Sequence, residues 1–495
     1  RFTARPWDLT EIESTSTVDT TGARIVLQSS RDRLVRILGL DSEAVNWGWL
    51  SDKERFIYEA IDSDTRLTHP LRREGDELVS TRWSDATRAA AEALAGKNVG
   101  VIGGARLPVE GQHAWARLLG VLPAGASTDP QLDDGLPADV VLGLPRTTIS
   151  EAFAPGSIVV TVGADLKEEL PSLFLRLRHG ITNDGVSLVE LHPRDTALTP
   201  MAAATLRPLP GMVGQLAAAL GDDSSSGRDV GGVTGADIEA ARSVLASGRP
   251  VTVVYGRANL AESAAFTVDA LAALHRALPG ARFLPALRRG NLHGAFEVGL
   301  GAEAGPDGPR SGDDTAAILA AAADGRIDTL VLLGADPLGD VPDRVLVERA
   351  LSGSVTVIAV DLFLTASAQW ADLVLPAAGP GEVDGAFLNL EGRLSPLAAK
   401  VTPPGQARPD WMIAAEIALA AGSDLGFGTL DECRADLSSR VGSFADVAWD
   451  ALSSSEDGHV LDLGRSWSLS FADPVVVPAV DGYGLRLVVD RKLWD

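Results

Sequence analysis

Two stretches of the chain decide its fold: Ile158-Val-Val-Thr-Val-Gly-Ala-Asp165 and Thr329-Leu-Val-Leu-Leu-Gly-Ala-Asp336. Each is an apolar run of strand length followed by the same Gly-Ala-Asp turn. In both copies a proline follows six residues after the aspartate, at Pro171 and at Pro342. A strand, a Gly-Ala-Asp turn and a proline at fixed spacing that recur together indicate an internal repeat.

The two copies stay in register over two further landmarks. Val189 to Ala197 (Val-Glu-Leu-His-Pro-Arg-Asp-Thr-Ala) corresponds to Ile358 to Ala366 (Ile-Ala-Val-Asp-Leu-Phe-Leu-Thr-Ala). Each copy then reaches a short Ala-x-Leu stretch that ends in proline, at Pro208 and at Pro376. Three landmarks in the same order predict two related Rossmann-like halves.

The pattern around the repeats is one of helices alternating with short, fully apolar strands. Such strands are typical of a parallel sheet covered by helices on both faces. The sequence predicts a helix over 83–94 and buried strands at 98–104, 140–142, 158–162, 186–191, 251–255, 330–333 and 355–360. It also predicts a small antiparallel unit from the β-leaning pieces 23–28 and 33–40, and strands near the other end at 475–477 and 485–489.

The predicted fold class is therefore α/β with mainly parallel sheets. Residues 1–57 form a small β-rich unit, and 58–150 together with 355–430 form one α/β domain. Residues 151–354 form a second, Rossmann-like α/β domain, and 431–495 form a β-containing piece.

Charge and hydropathy exclude several functions. The 495 residues carry 43 basic and 67 acidic side chains, a net charge of −24, which repels nucleic acid and acidic membranes. No apolar run reaches the roughly 18 residues that a membrane helix needs. We therefore expect no nucleic-acid partner and no direct membrane insertion.

Metal-ligating residues are sparse. Cys433 is the single cysteine, which excludes an internal disulfide framework, a zinc ribbon and any iron–sulfur cluster held by this chain's own cysteines. The seven histidines are far apart and form no His-x3-His or His-Glu-x2-His pair.

The Gly-Ala-Asp turns allow two interpretations. Ligands of open α/β sheets bind beyond the carboxyl ends of the strands, so the turns could cradle a dinucleotide or a pyrophosphate. Neither copy has the fuller Gly-x-Gly-x2-Gly, and the residues alone favour a structural turn in which Asp165 and Asp336 cap the next helix. His192 and Arg194 follow a strand at the same ligand-facing edge, where surface turns are equally common.

Two motifs carry a family resemblance. Arg66-Leu-Thr-His-Pro-Leu-Arg-Arg73 precedes the first half, and the second half leads into Gly381-Glu-x-Asp-Gly-x-Phe-x-Asn-x-Glu-Gly-Arg393. Together with the two halves they resemble the molybdopterin oxidoreductase superfamily. The polar side chains of the second motif are expected to hydrogen-bond internally and not to catalyse.

Within that superfamily the chain is most similar to the large iron–sulfur subunit of bacterial NADH:quinone oxidoreductase, respiratory complex I. The supporting stretches include Arg1-Phe-Thr-Ala-Arg-Pro-Trp-Asp-Leu9, Gly256-Arg-Ala-Asn-Leu-Ala-Glu-Ser263 and Leu284-Pro-Ala-Leu-Arg-Arg-Gly-Asn291. The resemblance implies that this chain begins just after a ferredoxin-like region with [2Fe–2S] and [4Fe–4S] clusters. It also implies electron transfer from NADH to quinone in a proton-translocating enzyme.

The same resemblance implies partners and location. The partners would be other subunits of the peripheral arm, namely the NADH- and FMN-binding subunit and the cluster-bearing subunits. The protein would lie on the cytoplasmic face of the bacterial plasma membrane, peripherally, as part of a membrane complex.

One departure from the family pattern concerns a further [4Fe–4S] cluster. Some members bind it with Cys-x2-Cys-x3-Cys and a fourth cysteine in Cys-Asp-Lys-Gly-Arg-Phe. The positions that correspond to these four ligands here are Ser16, Asp19, Ala23 and Ser51. Because iron requires thiolate at such positions, we predict a cofactor-free scaffold with no metal-binding or catalytic residue.

Two alternatives remain open at the level of sequence. The chain could be an active molybdopterin-dependent enzyme like formate dehydrogenase, which requires a metal ligand and basic contacts to the pterin pyrophosphates. It could instead be a nucleotide-binding protein with Rossmann-like halves. Metal content separates the first alternative from the scaffold, and calorimetry with nucleotides separates the second.

Overall fold

A computed structural model describes residues 4–122, 125–301, 313–463, 469, 471, 475–477 and 484–493. Residues 1–3 and 478–483, which fall within predicted units, lie outside the described residues. The strands, in chain order, are β1 (Thr10–Thr15), β2 (Arg24–Ser30), β3 (Arg33–Gly39), β4 (Leu71–Glu74), β5 (Glu77–Ser80), β6 (Val99–Gly103), β7 (Ala126–Asp129), β8 (Ile158–Val162), β9 (Ser187–Leu191), β10 (Ala204–Leu206), β11 (Val251–Tyr255), β12 (Arg282–Pro285), β13 (Thr329–Leu333), β14 (Thr356–Asp361), β15 (Leu373–Pro376), β16 (Gly385–Leu388), β17 (Arg393–Leu397) and β18 (His459–Val460).

The helices, in chain order, are α1 (Asp52–Phe56), α2 (Tyr58–Ile61), α3 (Trp83–Leu94), α4 (Val109–Gly120), α5 (Ala138–Gly143), α6 (Ile149–Ala152), α7 (Leu166–Glu169), α8 (Pro171–Asn183), α9 (Val213–Ala219), α10 (Gly235–Leu245), α11 (Ala264–Ala277), α12 (Leu292–Val298), α13 (Thr315–Ala323), α14 (Pro337–Asp340), α15 (Arg344–Leu351), α16 (Asp410–Ala420), α17 (Leu430–Arg440) and α18 (Trp449–Ser453). Short 3-10 turns lie at Pro6–Asp8, Thr199–Met201, Asp223–Ser225, Ala368–Trp370 and Gly442–Phe444. No helix among the described residues is long and apolar enough to cross a membrane.

The described residues form two compact units. Unit 1 is made of those within Arg1–Glu43, Leu50–Asp133 and Arg289–Arg465, and unit 2 of those within Ala44–Trp49, Asp134–Arg288 and Ser466–Asp495. The boundaries predicted from the sequence differ from these units in several places. Residues 44–49 and 134–150 belong to unit 2, and the described residues of 431–495 are divided between the two units. The described residues of 289–354, which the sequence assigns to the second α/β domain, belong to unit 1. In the structure β13, which lies in that stretch, pairs with β6 and β14 and so belongs to the sheet of unit 1.

The two sheets confirm the predicted repeat. Within the described residues the sheet of unit 2 has the order β10-β9-β8-β11-β12, and that of unit 1 has the order β5-β4-β15-β14-β13-β6-β7. In each sheet the two strands that come next in the sequence after the Gly-Ala-Asp strand lie on one side of it: β9 and β10 beside β8, and β14 and β15 beside β13. Two further parallel strands lie on its other side: β11 and β12 in unit 2, and β6 and β7 in unit 1. This order is that of a doubly wound Rossmann-like sheet, with the antiparallel hairpin β4–β5 added in unit 1.

Strand β13 shows how each sheet is buried. Its side chains alternate between two cores: Val331 and Leu333 pack with α3, α4 and α16, whereas Leu330 and Leu332 pack with α13 and α15. Because helices cover both faces of the sheet, all five residues of β13 are buried. This burial explains why the sequence shows an uninterrupted apolar run there.

Two smaller antiparallel sheets complete unit 1. Strands β1, β2 and β3 form the predicted N-terminal β unit. Strands β16, β17 and β18 form the other small sheet, so the tail contributes one short strand, at His459–Val460. The strands predicted at 475–477 and 485–489 are not present, because the described residues there pair with no strand.

The predicted strand at 140–142 is also wrong. Residues Val140, Val141 and Leu142 are buried inside helix α5. A run of three apolar residues does not distinguish a strand from one buried turn of helix. Pro137 stands at the N-cap of α5, where its fixed backbone angle is compatible with the start of a helix.

Candidate functional site

The four predicted cluster positions are all buried in unit 1. Ser16, Asp19 and Ala23 belong to the loop between β1 and β2, and Ser51 is the N-cap of α1. Their exposed fractions are 5% or less. The backbone N–H of Ser16 donates to the carbonyl of Ala23 over 2.8 Å, which closes the loop around Asp19.

A capping box fixes the fourth position. The backbone N–H of Glu54 donates to Ser51 Oγ over 3.1 Å, while Ser51 N donates to Glu54 Oε2 over 2.8 Å. Glu54 is itself 1% exposed, and its charge acts on Asp19. Glu54 is absent from the residues predicted for this site, although Ser-x-x-Glu before a helix is the known signature of a capping box. Glu54 therefore connects Ser51 to the loop that carries the other three positions.

Asp19 is a buried titratable group of the β1–β2 loop. Its Oδ1 accepts a 2.8 Å hydrogen bond from the backbone N–H of Thr21. Burial, and secondly the charge of Glu54, raise the pKa of Asp19 well above its usual range. The carboxyl of Asp19 consequently keeps its proton in the folded protein at pH values where an exposed aspartate is ionised.

The pocket does not fit an iron–sulfur cluster. Its donors are hydroxyl and carboxyl oxygens, whereas cluster iron is held by thiolate. The cavity beside Ser16, Thr17, Glu54 and Pro380 has a volume of about 20 Å³, which is room for about one water molecule. Among the described residues no group of three or more His, Cys, Asp and Glu side chains could hold a metal ion.

We expect Asp19→Asn to stabilise unit 1, by about 2 kcal/mol at pH 8. Asparagine preserves the acceptor for Thr21 N and cannot ionise. Since burial raises the pKa of the folded carboxyl, the stability that Asp19 contributes is greatest below about pH 4 and is lost as pH rises and the unfolded chain ionises. The gain should therefore grow between pH 4 and pH 8 in urea unfolding curves.

The control for this substitution is Asp41→Asn, which changes an exposed carboxylate of the same unit. Its unfolding free energy should follow that of the wild type at each pH. A gain for Asp19→Asn that stays constant from pH 5 to pH 9 would contradict the assignment.

The loop from Glu382 to Arg393 makes hydrogen bonds within the chain, as expected for the polar side chains of this motif. Asn389 Nδ2 donates to the carbonyl of Thr21 over 3.1 Å, and Asn389 Oδ1 accepts from the backbone of Arg393 over 2.9 Å. Arg393 pairs with Glu391. The loop thus connects the sheet of β16 and β17 to the β1–β2 loop.

At the carboxyl edges of the large sheets, the aspartates of the repeat do not cap their helices. Asp165 stands before α7 and Asp336 before α14, but neither side chain makes a capping hydrogen bond. Asp165 Oδ2 instead accepts from Arg194 Nη2 over 2.8 Å, and Asp336 Oδ1 accepts from the backbone of Ser367 over 2.9 Å. Each carboxylate therefore links its own turn to the loop after the neighbouring strand.

His192 and Arg194 lie at this edge as predicted. His192 is 2% exposed, and burial, followed by the charge of Arg194, lowers its pKa. Its Nδ1 accepts a 3.2 Å hydrogen bond from the backbone N–H of Arg194. His192 thus shapes the loop and is not presented to solvent.

The one thiol of the chain lies inside a helix interface. Cys433 on α17 is buried, with Sγ 3.6 Å from the carbonyl of Glu110 on α4. Burial and secondly the charge of Glu110 raise its pKa. A thiol held neutral between two helices is a packing residue and does not supply a metal ligand at a strand edge.

Comparison with protein families agrees with this architecture. The model of the molybdopterin oxidoreductase family matches residues 66–420. The chain belongs to the molybdopterin oxidoreductase family. A second model, "NADH-ubiquinone oxidoreductase NDSU1/NuoG-like, 4Fe-4S domain", matches residues 9–59, the module that contains the four substituted positions.

Individual relatives extend over most of the chain. It is 28% identical over its whole length to the second NADH-quinone oxidoreductase G-type subunit of Rhizobium meliloti (strain 1021), and 29% identical over 91% of its length to the G-type subunit of Streptomyces coelicolor (strain ATCC BAA-471 / A3(2) / M145). It is 25% identical over 84% of its length to the alpha subunit of an NADPH-Fe(3+) oxidoreductase of Geobacter sulfurreducens (strain DL-1 / KN400). The matches span 63%, 57% and 56% of these three relatives.

Among solved structures, acetylene hydratase from Pelobacter acetylenicus shares the fold. The superposition has a TM-score of 0.62 at 14% sequence identity and covers 89% of this chain and 73% of that chain. At this identity the likeness concerns the fold alone.

Proposed function

We propose that this chain is part of a G-type subunit of NADH:quinone oxidoreductase and that it works as a scaffold without a redox centre of its own. The observation that carries the proposal is the pocket of the N-terminal module. Ser16, Asp19, Ala23 and Ser51, which the family resemblance aligns with the four cluster ligands, are buried and carry no thiol, and the cavity beside Ser16 and Glu54 has room for about one water molecule. The NADH-quinone oxidoreductase relatives support the assignment to this type of subunit.

A scaffold role is consistent with the way the family motifs are used. The hydrogen bonds of Asn389 connect the loop at 382–393 to the N-terminal module, so polar groups of the motif are engaged in internal contacts. The thiol of Cys433 is likewise engaged in packing. Electrons would then pass through clusters elsewhere in the assembly.

The proposed partners are the NADH- and FMN-binding subunit and the cluster-bearing subunits, on the cytoplasmic face of the plasma membrane. Among the described residues at the N-terminal end of unit 1, three large apolar side chains are exposed: Trp7 (78%), Ile12 (38%) and Phe56 (45%). Because interface cores are apolar and aromatic-rich, these side chains suit contact with a cluster-bearing region. The acidic groups behind the net charge of −24 would then lie at the rim or in solvent.

Metal content tests the proposal. We expect the full chain, expressed with added iron, cysteine and molybdate, to contain only substoichiometric iron, molybdenum and tungsten by mass spectrometry. Stoichiometric molybdenum or tungsten would favour an active molybdopterin enzyme and overturn the scaffold proposal. Co-expression with the proposed partner subunits should give one complex on size exclusion, whereas a chain that elutes alone would contradict the assembly.

The matched variant restores the four thiols: Ser16→Cys, Asp19→Cys, Ala23→Cys and Ser51→Cys together. We expect it to bind up to about four iron atoms per chain with the visible absorption of a cluster, because it supplies thiolates at the four positions that the resemblance aligns with cluster ligands. An iron-free variant with an unchanged circular dichroism spectrum would contradict the assignment of these positions.

A further inference from the structure

The segment 484–493 of unit 2 runs along the carboxyl edge of the five-stranded sheet. In that sheet β8 and β11 are neighbours, and the chain leaves them toward opposite sides, so the crevice at their carboxyl ends is the topological switch point. Open α/β sheets bind their ligands at this point. What occupies it therefore decides whether unit 2 can accept a nucleotide.

The segment makes a continuous set of hydrogen bonds with the loop after β11. The backbone N–H of Leu260 donates to the carbonyl of Val489 over 2.8 Å. Val489 N donates to Asn259 Oδ1 over 2.8 Å, and Asn259 Nδ2 donates to the carbonyl of Leu487 over 2.9 Å. The polar groups that this loop would offer to a ligand are thus used by the chain itself.

An ion pair connects the segment to the loop after β9, and a hydrogen bond connects it to α7, the helix that follows β8. Asp490 pairs with Arg194, the guanidinium that also binds Asp165 of the Gly-Ala-Asp turn. The backbone N–H of Leu493 donates to Glu168 Oε2 on α7 over 3.3 Å. The Asp490 carboxylate takes the place on Arg194 that an anionic group of a ligand would need, because carboxylate and phosphate bind guanidinium in the same way.

We propose that segment 484–493 is a built-in occupant that closes the switch-point crevice of unit 2 to nucleotides, including the pterin nucleotide that the family implies. It contacts the loops after β9 and β11 and helix α7 after β8, so it reaches the chain that follows three of the strand ends at the crevice. A nucleotide entering there has to displace these contacts. The closure involves one unit only and does not depend on the proposed complex I partners.

Hydrogen–deuterium exchange of the full chain tests the closure. We expect Asp490→Ala to speed amide exchange in 163–169, 192–199 and 256–262 by about tenfold or more, because it removes an ion-paired anchor. Val489→Pro removes the backbone N–H that donates to Asn259 Oδ1, and it should likewise speed amide exchange in 256–262. Leu485→Ala is the control, since this side chain on the same segment is 98% exposed.

Unchanged exchange in all three loops of Asp490→Ala and Val489→Pro would overturn the proposal. Calorimetry with GDP as the probe is a second test of the closure. The wild-type chain should show no binding at millimolar GDP, and binding would also overturn the closure. Metal content decides the scaffold proposal separately, so the two can fail independently.

Discussion

Substitution of Arg66 by leucine should lower the unfolding free energy of unit 1 by about 3–5 kcal/mol. Arg66 and Glu382 form a two-pronged ion pair, with Nη1 3.0 Å from Oε1 and Nη2 2.7 Å from Oε2. Both side chains are 2% exposed. Removing the guanidinium leaves a buried carboxylate whose remaining partner is the backbone N–H of Gly379, at 2.6 Å.

The test compares variants by urea unfolding followed through tryptophan fluorescence. The double variant Arg66→Met/Glu382→Leu should recover much of the loss, because it removes both charges and refills the volume. Arg33→Leu is the matched control, since Arg33 also makes a two-pronged pair, with Asp62, but is 65% exposed. Its unfolding should stay close to that of the wild type. Equal losses for Arg66→Leu and Arg33→Leu would refute the burial argument.

The Arg66–Glu382 pair also shows what the sequence can and cannot predict. Both residues lie in motifs that stand out in the sequence, the lead-in at 66–73 and the loop at 381–393, yet they are 316 residues apart. Nothing in either motif indicates that the two meet. Long-range pairing depends on how the sheets assemble, and local patterns do not encode it.

Elements with a strong periodic signal could be predicted closely. The helix at Trp83–Leu94 and the strand at Val251–Tyr255 have the predicted bounds, and the repeat predicts both Rossmann-like sheets. Short apolar runs gave errors, at 140–142 inside α5 and at 475–477 and 485–489, where the described residues form no strand. A run of three to five apolar residues fits a strand, a buried helical turn or an extended segment equally well.

The identity of the substituted ligand positions is a prediction from the family resemblance, which aligns Ser16, Asp19, Ala23 and Ser51 with four cysteines. The structure shows that all four residues are buried. The role of Glu54, which caps Ser51 and raises the pKa of Asp19, becomes apparent only when burial is known. Likewise Asp165 and Asp336 occupy N-cap positions, but their side chains bind Arg194 and Ser367 of the neighbouring loops, and the sequence pattern does not indicate these partners.

The second large prediction concerns the glycine of each Gly-Ala-Asp turn. Gly163→Ala should lower the unfolding free energy of unit 2 by about 3 kcal/mol or more, whereas Gly334→Ala should lower that of unit 1 by about 1 kcal/mol. Both glycines have left-handed backbone angles, with φ of +73° and +58°, so alanine is strained at either position. A methyl group on Gly163 would lie 2.7 Å from the backbone nitrogen of Ala258 and 2.8 Å from the carbonyl oxygen of Gly256. Backbone atoms cannot move aside as a side chain can, and overpacking adds to the strain.

At Gly334 the same methyl group would find its nearest neighbour, Leu107 Cδ1, at 3.7 Å, an ordinary contact. Hydrogen exchange of β8 and β13 measures the two losses separately, because each strand reports on its own unit. The same Gly-Ala-Asp sequence is therefore under different constraints in the two halves. The turn requires a left-handed backbone at the glycine in both halves. In unit 2 the loop after β11 also leaves no room for a side chain at that glycine. Equal losses in the two variants would mean that backbone angle alone selects these glycines.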